Sequence, residues 1–222
     1  MKALTISDVH LNPGDGIPVF LLDMFHECDA TGVRCVLDGD CINLLPYGKA
    51  AWYTSAGQKT IKGFVEALPE TGCDYIFGNH EGNIGWLVEM FKPYPQVRVA
   101  RELNLFDGSN TWHFEHGHRF TYDWSWLQWI ADDITQFMVK FFPGVWTWLS
   151  KRAGWMPSTL KEENPQKYDN AINAIWNNAQ KWAQTNHSNL VIGHTHCHYE
   201  AELYDKIKFI DCGTKQVIRI GY

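Results

Sequence analysis

VIGHTHCHYE, residues 191–200, sets His194, His196 and His198 close together, directly behind an apolar run. A buried strand gains nothing from alternating imidazoles, because each brings ring nitrogens that need partners. The stretch therefore reads as a core strand that runs into a ligand-bearing loop. Its meaning depends on whether other strands end the same way, and upstream they do. SDVH (7–10) ends the first apolar run with Asp8 and His10, and LDGD (37–40) ends the second with Asp40. GNHE (78–81) supplies Asn79 and His80, and EHGH (115–118) supplies His116 and His118. Each of these motifs is weak alone, since Asp-x-His and Gly-Asp occur widely in turns. In order, and all at strand ends, they form one signal.

The elements around these runs alternate. Strands are expected at 3–7, 33–37, 74–77, 97–100, 111–115, 190–192, 199–203, 208–210 and 217–220, and helices at 19–30, 58–68, 84–91 and 168–184. That rhythm predicts an α/β fold, with a hairpin-rich C-terminal part that makes the sheet mixed. In α/β sheets, groups at the carboxyl ends of strands converge on one crevice. In extended chain, residues two apart share a face, so Asp8 with His10 and His194 with His196 are expected to point together. Gly39, Gly78 and Gly193 directly precede ligands and let the backbone come close to the site. Carboxylate, amide and imidazole without thiolate suit Mn, Fe or Zn in a reactive centre better than a structural zinc cage.

Composition agrees with a soluble globular chain. It has 222 residues, 45% hydrophobic and 20% charged, enough for one domain, 1–222, with a substantial core. A formal charge of -6 disfavours an extended nucleic-acid surface. Six cysteines without a CxxC pair read as reduced, which together with the absence of a secretory leader or apolar span predicts a cytoplasmic setting. One region stands apart. Residues 124–155 hold Trp124, Trp126, Trp129, Trp146, Trp148 and Trp155, and 126–141 follow amphipathic helical spacing before Pro143-Gly144. A helical cap insert is expected over 122–162, serving either as core packing or as a lipid or membrane contact through 124–155, peripheral at the inner membrane face.

The ordered set Asp8-x-His10, Gly39-Asp40, Gly78-Asn79-His80-Glu81, His116-Gly117-His118 and Gly193-His194-x-His196 resembles the calcineurin-like metallophosphoesterases over nearly the whole chain. The resemblance implies a four-layer α/β/β/α sandwich carrying the Trp-rich helical insert, and two divalent cations, Mn2+ before Fe or Zn. One cation would take Asp8, His10, Asp40 and His196; the other would take Asp40, Asn79, His116 and His194. It further implies hydrolysis of a small phosphomonoester or phosphodiester by in-line attack of a metal-bridging hydroxide. His80, Asn79 and Asp40 would be catalytic, and His80 and His118 would contact substrate, though His118 also reads as a turn histidine. Length and insert position look similar to the UDP-2,3-diacylglucosamine hydrolase group, a pyrophosphate hydrolase reading at the membrane. His80 and HGH depart from the Arg and HGD common there. The same ligand set would also serve a nuclease, or a scaffold that binds metal without catalysis.

Overall fold

The computed structural model describes residues 2–121, 161–162 and 164–221. The Trp-rich segment expected as a helical cap therefore lies almost wholly outside the described residues. Among those that are described, ten strands form two five-stranded sheets. The first has the order β10 (Ile218–Ile220), β1 (Ala3–Ile6), β2 (Arg34–Asp38), β3 (Cys73–Ile76) and β4 (Val97–Ala100). Within it β1 to β4 are parallel and β10 runs antiparallel to β1. The second has the order β5 (Leu103–Phe106), β6 (Thr111–Phe114), β7 (Asn189–Ile192), β9 (Lys208–Cys212) and β8 (His198–Glu202). Here β6, β7 and β9 are parallel, flanked by antiparallel β5 and β8.

Helices cover both outer faces. α1 (Val19–Thr31), the short α2 (Leu44–Tyr47) and α3 (Lys49–Trp52), α4 (Ser55–Ala67) and α5 (Ile84–Phe91) accompany the first sheet, and α6 (Pro165–Asn186) lies on the second. Side-chain chemistry sets their ends. Thr54, Asn83 and Asn164 each accept a backbone N–H at a helix start, and Pro165 opens α6 where its missing N–H costs nothing. α1 stops at Gly32, whose φ of 65° is left-handed.

The apolar residues sort into three layers, which makes the four-layer α/β/β/α sandwich a property of this chain. Leu4, Ile6, Leu37 and Tyr75 meet Phe25, Phe64 and Phe91 outside the first sheet. Ala3, Val36 and Ile76 meet Phe114, Val191 and Ile210 between the sheets. Leu190, Ile192 and Phe209 meet Ile175, Ala179 and Ala183 of α6. The alternation along β2, with Val36 inward and Cys35 and Leu37 outward, is the period of two that a strand covered on both faces requires. At the amino-terminal end of the sandwich, Asp74 is clamped by Arg34 and by Arg98, whose Nε donates to Oδ1 at 2.9 Å. That end is closed by ion pairs, and the carboxyl ends of the parallel strands carry the site.

The structure departs from the residue pattern in two places. β5, absent from the expected strands, is a four-residue edge strand with only Leu105 buried, too short to show periodicity. The strands divide into two sheets, each of them mixed, where the residue pattern gave one. The six thiols are free, five of them buried. Among the described residues, no helix is long and apolar enough to cross a membrane.

Candidate metal centre

Five parallel strands end at one crevice, and the residues just past them carry the expected ligands. β1 is followed by Asp8 and His10, β2 by Asp40, β3 by Asn79 and His80, β6 by His116 and His118, and β7 by His194 and His196. The side chains do not converge by strand alternation, as extended geometry would have it. Asp8, His10, Asp40, His194 and His196 all have positive φ, between 52° and 72°. Left-handed backbone at a non-glycine residue costs about 1–2 kcal/mol, and such strain collects where function requires it. At these residues β1, β2 and β7 end, the chain turns sharply and the ligands are aimed inward.

The turns are held by close packing and by hydrogen bonds. A Cβ on Gly193 would fall 2.6 Å from Ser7 Cβ and 2.8 Å from Asp8 Oδ2, so only glycine lets the His194 loop reach β1. A Cβ on Gly39, at φ 82°, would strike the His116 ring at 2.5 Å. Asp8 Oδ2 accepts from Ser7 Oγ at 2.5 Å and from the His194 N–H at 3.0 Å, which turns Oδ1 into the crevice. Asp40 Oδ1 accepts from the His80 N–H at 2.7 Å, leaving Oδ2 for His116. Glu81, which its motif position suggests is structural or lies behind the ligands, is the pin of this side. Its carboxyl accepts from the N–H groups of Gly78 (2.7 Å), Asp40 (3.1 Å) and Ile42 (3.3 Å) and from Tyr75 Oη (2.8 Å). Burial and the nearby Asp40 push it up to about 8, against those donors.

Among the described residues, three overlapping groups could hold a metal ion: Asp8–His10–His196, His10–Asp40–His80 and Asp8–Asp40–His116, with ligand atoms within 4.8 Å of one another in each. The hydrogen bonds assign the imidazole tautomers. Asn43 Nδ2 donates to Asn12 Oδ1 at 2.7 Å and to the His10 carbonyl at 3.2 Å, which fixes its Oδ1 as the acceptor for both His10 Nδ1 (3.0 Å) and His80 Nδ1 (2.9 Å). Both rings then carry hydrogen on Nδ1 and turn a lone pair inward on Nε2. His116 Nδ1 likewise donates to the Asp38 carbonyl at 2.9 Å, and its Nε2 faces Asp40 Oδ2 at 3.2 Å. His196 Nε2 stands 3.2 Å from Asp8 Oδ1.

Lone pairs and carboxylate oxygens at such distances repel unless positive charge lies between them. Asp8 Oδ1, His116 Nε2 and Asn79 Oδ1 are enclosed and make no hydrogen bond among the described residues. Without a cation, a proton has to serve. Burial opposes a charged His116, yet the Asp40 and Asp8 carboxylates hold its imidazole well above the usual range. Burial also opposes charge on Asp40, but His116 and His80 hold its carboxyl well below normal. These residues fit a divalent cation by donor type, tautomer and the orphaned atoms they aim at one another.

His194 and His118 join none of the three groups. His194 Nε2 pairs with Thr121 Oγ1 at 3.1 Å, and its ring lies 5.3 Å from that of His116. Packing among neighbouring rings pushes His194 down to about 4 and His118 to about 3, burial first and the His116 charge second. His118 sits in a short turn, His118–Thr121, edge-on to Phe77 with ring centroids 5.9 Å apart. It is not extended beyond His116, because Gly117 at φ 94° turns the chain.

Several residues of the site had no signal in the sequence. Asn43 aligns two histidines, yet it reads locally as an ordinary loop amide. Asp211, on β9, accepts from Thr195 Oγ1 at 2.5 Å and from Trp176 Nε1 at 2.9 Å, so it holds the turn between His194 and His196. Burial pushes its carboxyl up to about 7. Asp38 lies between the sheets with neither carboxylate oxygen bonded, and burial raises it well above the carboxylate range.

Fold and site together define an α/β/β/α protein with a polar, cation-seeking crevice at the carboxyl ends of its parallel strands. No protein-family model matches the chain, and no curated protein matches it significantly. Solved structures do. A conserved protein of Streptococcus pneumoniae described as a predicted phosphoesterase is 15% identical, with 98% of this chain and 80% of that one covered at a TM-score of 0.43. An archaeal phosphodiesterase is 13% identical, with 99% of each chain covered and a TM-score of 0.44. A dimetal phosphatase of Danio rerio is 12% identical, with 96% and 87% covered and a TM-score of 0.47. At these values, the reading of the site rests on this chain's own residues.

Proposed function

We propose that this chain is a metal-dependent phosphoesterase that hydrolyses phosphomonoester or phosphodiester bonds with two divalent cations, Mn2+ being the ion to test first. The observation that carries this reading is the set of three interlocking ligand groups, with Asp8, His10 and Asp40 each shared between two of them. Sharing of ligands is what a pair of adjacent cations needs. Asp8, His10, Asp40 and His196 would hold one. Asp40, Asn79 and His116 would hold the other, with His194 able to join once its bond to Thr121 is released.

Two such cations polarise a phosphoryl group, lower the pKa of water and offset charge that develops on the phosphoryl oxygens. The chain's own residues supply the rest. Asn43 fixes His80 so that Nε2 is the atom that can carry a proton to the departing oxygen. Asn79 can offer its oxygen to a cation and its NH2 to a phosphoryl oxygen. Glu81 and Asp211 hold the loops on either side and so preserve the distances between ligands.

The test is turnover of p-nitrophenyl phosphate and its bis ester by the Mn2+-loaded protein, beside metal content. The reading expects Asp40→Ala to lose both metal and turnover. His80→Ala should lose turnover and keep the metal. Full activity in Asp40→Ala would overturn it, and metal binding without turnover on a broad substrate panel would favour a binding scaffold.

A further inference from the structure

The geometry points to Arg101 as a specificity-determining residue that receives a second anionic group of the substrate, a phosphate or carboxylate carried beyond the reacting phosphoryl. This rests on the phosphoester reading above. Arg101 directly follows β4, the neighbour of β3 in the first sheet, and so stands on the same rim as Asn79 and His80. Its guanidinium lies 5.7 Å from the centroid of the Phe77 ring, and Phe77 in turn meets His118 at 5.9 Å. The His118 ring is 5.8 Å from that of His116. Arg101 is therefore separated from the ligand cluster by two rings. It belongs to none of the ligand groups, and from this rim it is placed to meet a group that extends past a phosphoryl seated at the cations.

The other described arginines are committed. Arg34 and Arg98 clamp Asp74, Arg119 pairs with Glu115, and Arg219 pairs with Glu27. Arg101 is exposed and makes no ion pair among the described residues, although its charge is felt at His118. Stacking on Phe77 holds the guanidinium in place, and its planar fork suits a phosphate or carboxylate through two parallel N–H bonds.

A ruler of non-hydrolysable ligands tests this. Methylphosphonate and a series of α,ω-alkane bisphosphonates of increasing chain length are titrated by calorimetry into wild type, Arg101→Met and Arg101→Lys, with and without Mn2+. The expected result is that one range of lengths binds wild type at least tenfold more tightly than methylphosphonate. Arg101→Met should remove that advantage and leave methylphosphonate unchanged, and Arg101→Lys should restore part of it. If no length shows an advantage, or if the advantage survives in Arg101→Met, the assignment is wrong. Binding is read without turnover, so a protein that hydrolyses no phosphoester yet shows the Arg101-dependent preference would refute the proposed reaction and leave this subsite standing.

Discussion

Adding one methyl group at Gly193 should disrupt the centre from behind. In Gly193→Ala the new Cβ falls 2.6 Å from Ser7 Cβ and 2.8 Å from Asp8 Oδ2. Carbon atoms in contact ordinarily lie about 3.5–4.0 Å apart, so the Cβ–Cβ overlap alone is about 1 Å, and Ser7 Oγ is closer still. Ser7 cannot retreat, because its Oγ is confined between Asp8 Oδ2 at 2.5 Å and the Asp38 carbonyl at 2.8 Å, to either of which its one hydrogen can be donated. Overpacking of this kind costs about 1–3 kcal/mol, and the rigid neighbours place it at the upper end. At roughly 2–4 °C per kcal/mol for a chain of this size, the melting temperature should fall by about 6–12 °C. Whatever strain is relieved moves the Asp8 carboxylate, so Mn2+ affinity by calorimetry should drop at least tenfold. The control is Gly16→Ala, where the added Cβ meets nothing within 4 Å. It should stay within about 0.5 kcal/mol of wild type. If Gly193→Ala matches this control in urea midpoint and in Mn2+ affinity, the requirement for glycine where the His194 loop approaches β1 is refuted.

Two further outcomes follow from groups away from the crevice. Asp74→Ala leaves Arg34 and Arg98 facing each other at the closed end of the sandwich; because both guanidinium groups are partly open to water, the loss should be about 2 kcal/mol, below that of a wholly buried pair. A urea midpoint unchanged from wild type would show that the ion pairs close nothing. Asp107, in the turn between β5 and β6, accepts from the N–H groups of Ser109 and Asn110 and from Trp112 Nε1, which hold its carboxyl down at about 2. A depressed folded pKa contributes stability that is present above the unfolded value of 3.8 and lost as pH falls through 2. The stability gap between wild type and Asp107→Asn should be constant above pH 5 and narrow from about pH 4 downward; a gap that widens with acid would contradict the assignment.

Much of the site was legible in the chain because its ligands lie within two or three residues of strand ends, and strand ends show in hydrophobic runs. Asp8, His10, Asp40, His80, His116 and His196 could all be named from SDVH, LDGD, GNHE, EHGH and GHTH before any fold was known. Strand parity joined Asp8 with His10 correctly but by the wrong geometry, since left-handed turns rather than extended strand bring them together. β5 carries too little pattern to be read, because only Leu105 of its four residues is buried.

By itself, then, the sequence determined the element rhythm, the ligand types and their order, because these depend on neighbours along the chain. Only the tertiary structure decided which nitrogen of His10, His80 and His116 faces inward, that His194 pairs with Thr121 outside the three groups, that His118 packs edge-on to Phe77, and how Asn43, Glu81 and Asp211 hold the loops. Those facts depend on contacts between residues as far apart as His80 and Asn43 or Thr195 and Asp211. A hydrogen bond depends on distance and angle in space, and separation along the chain carries neither.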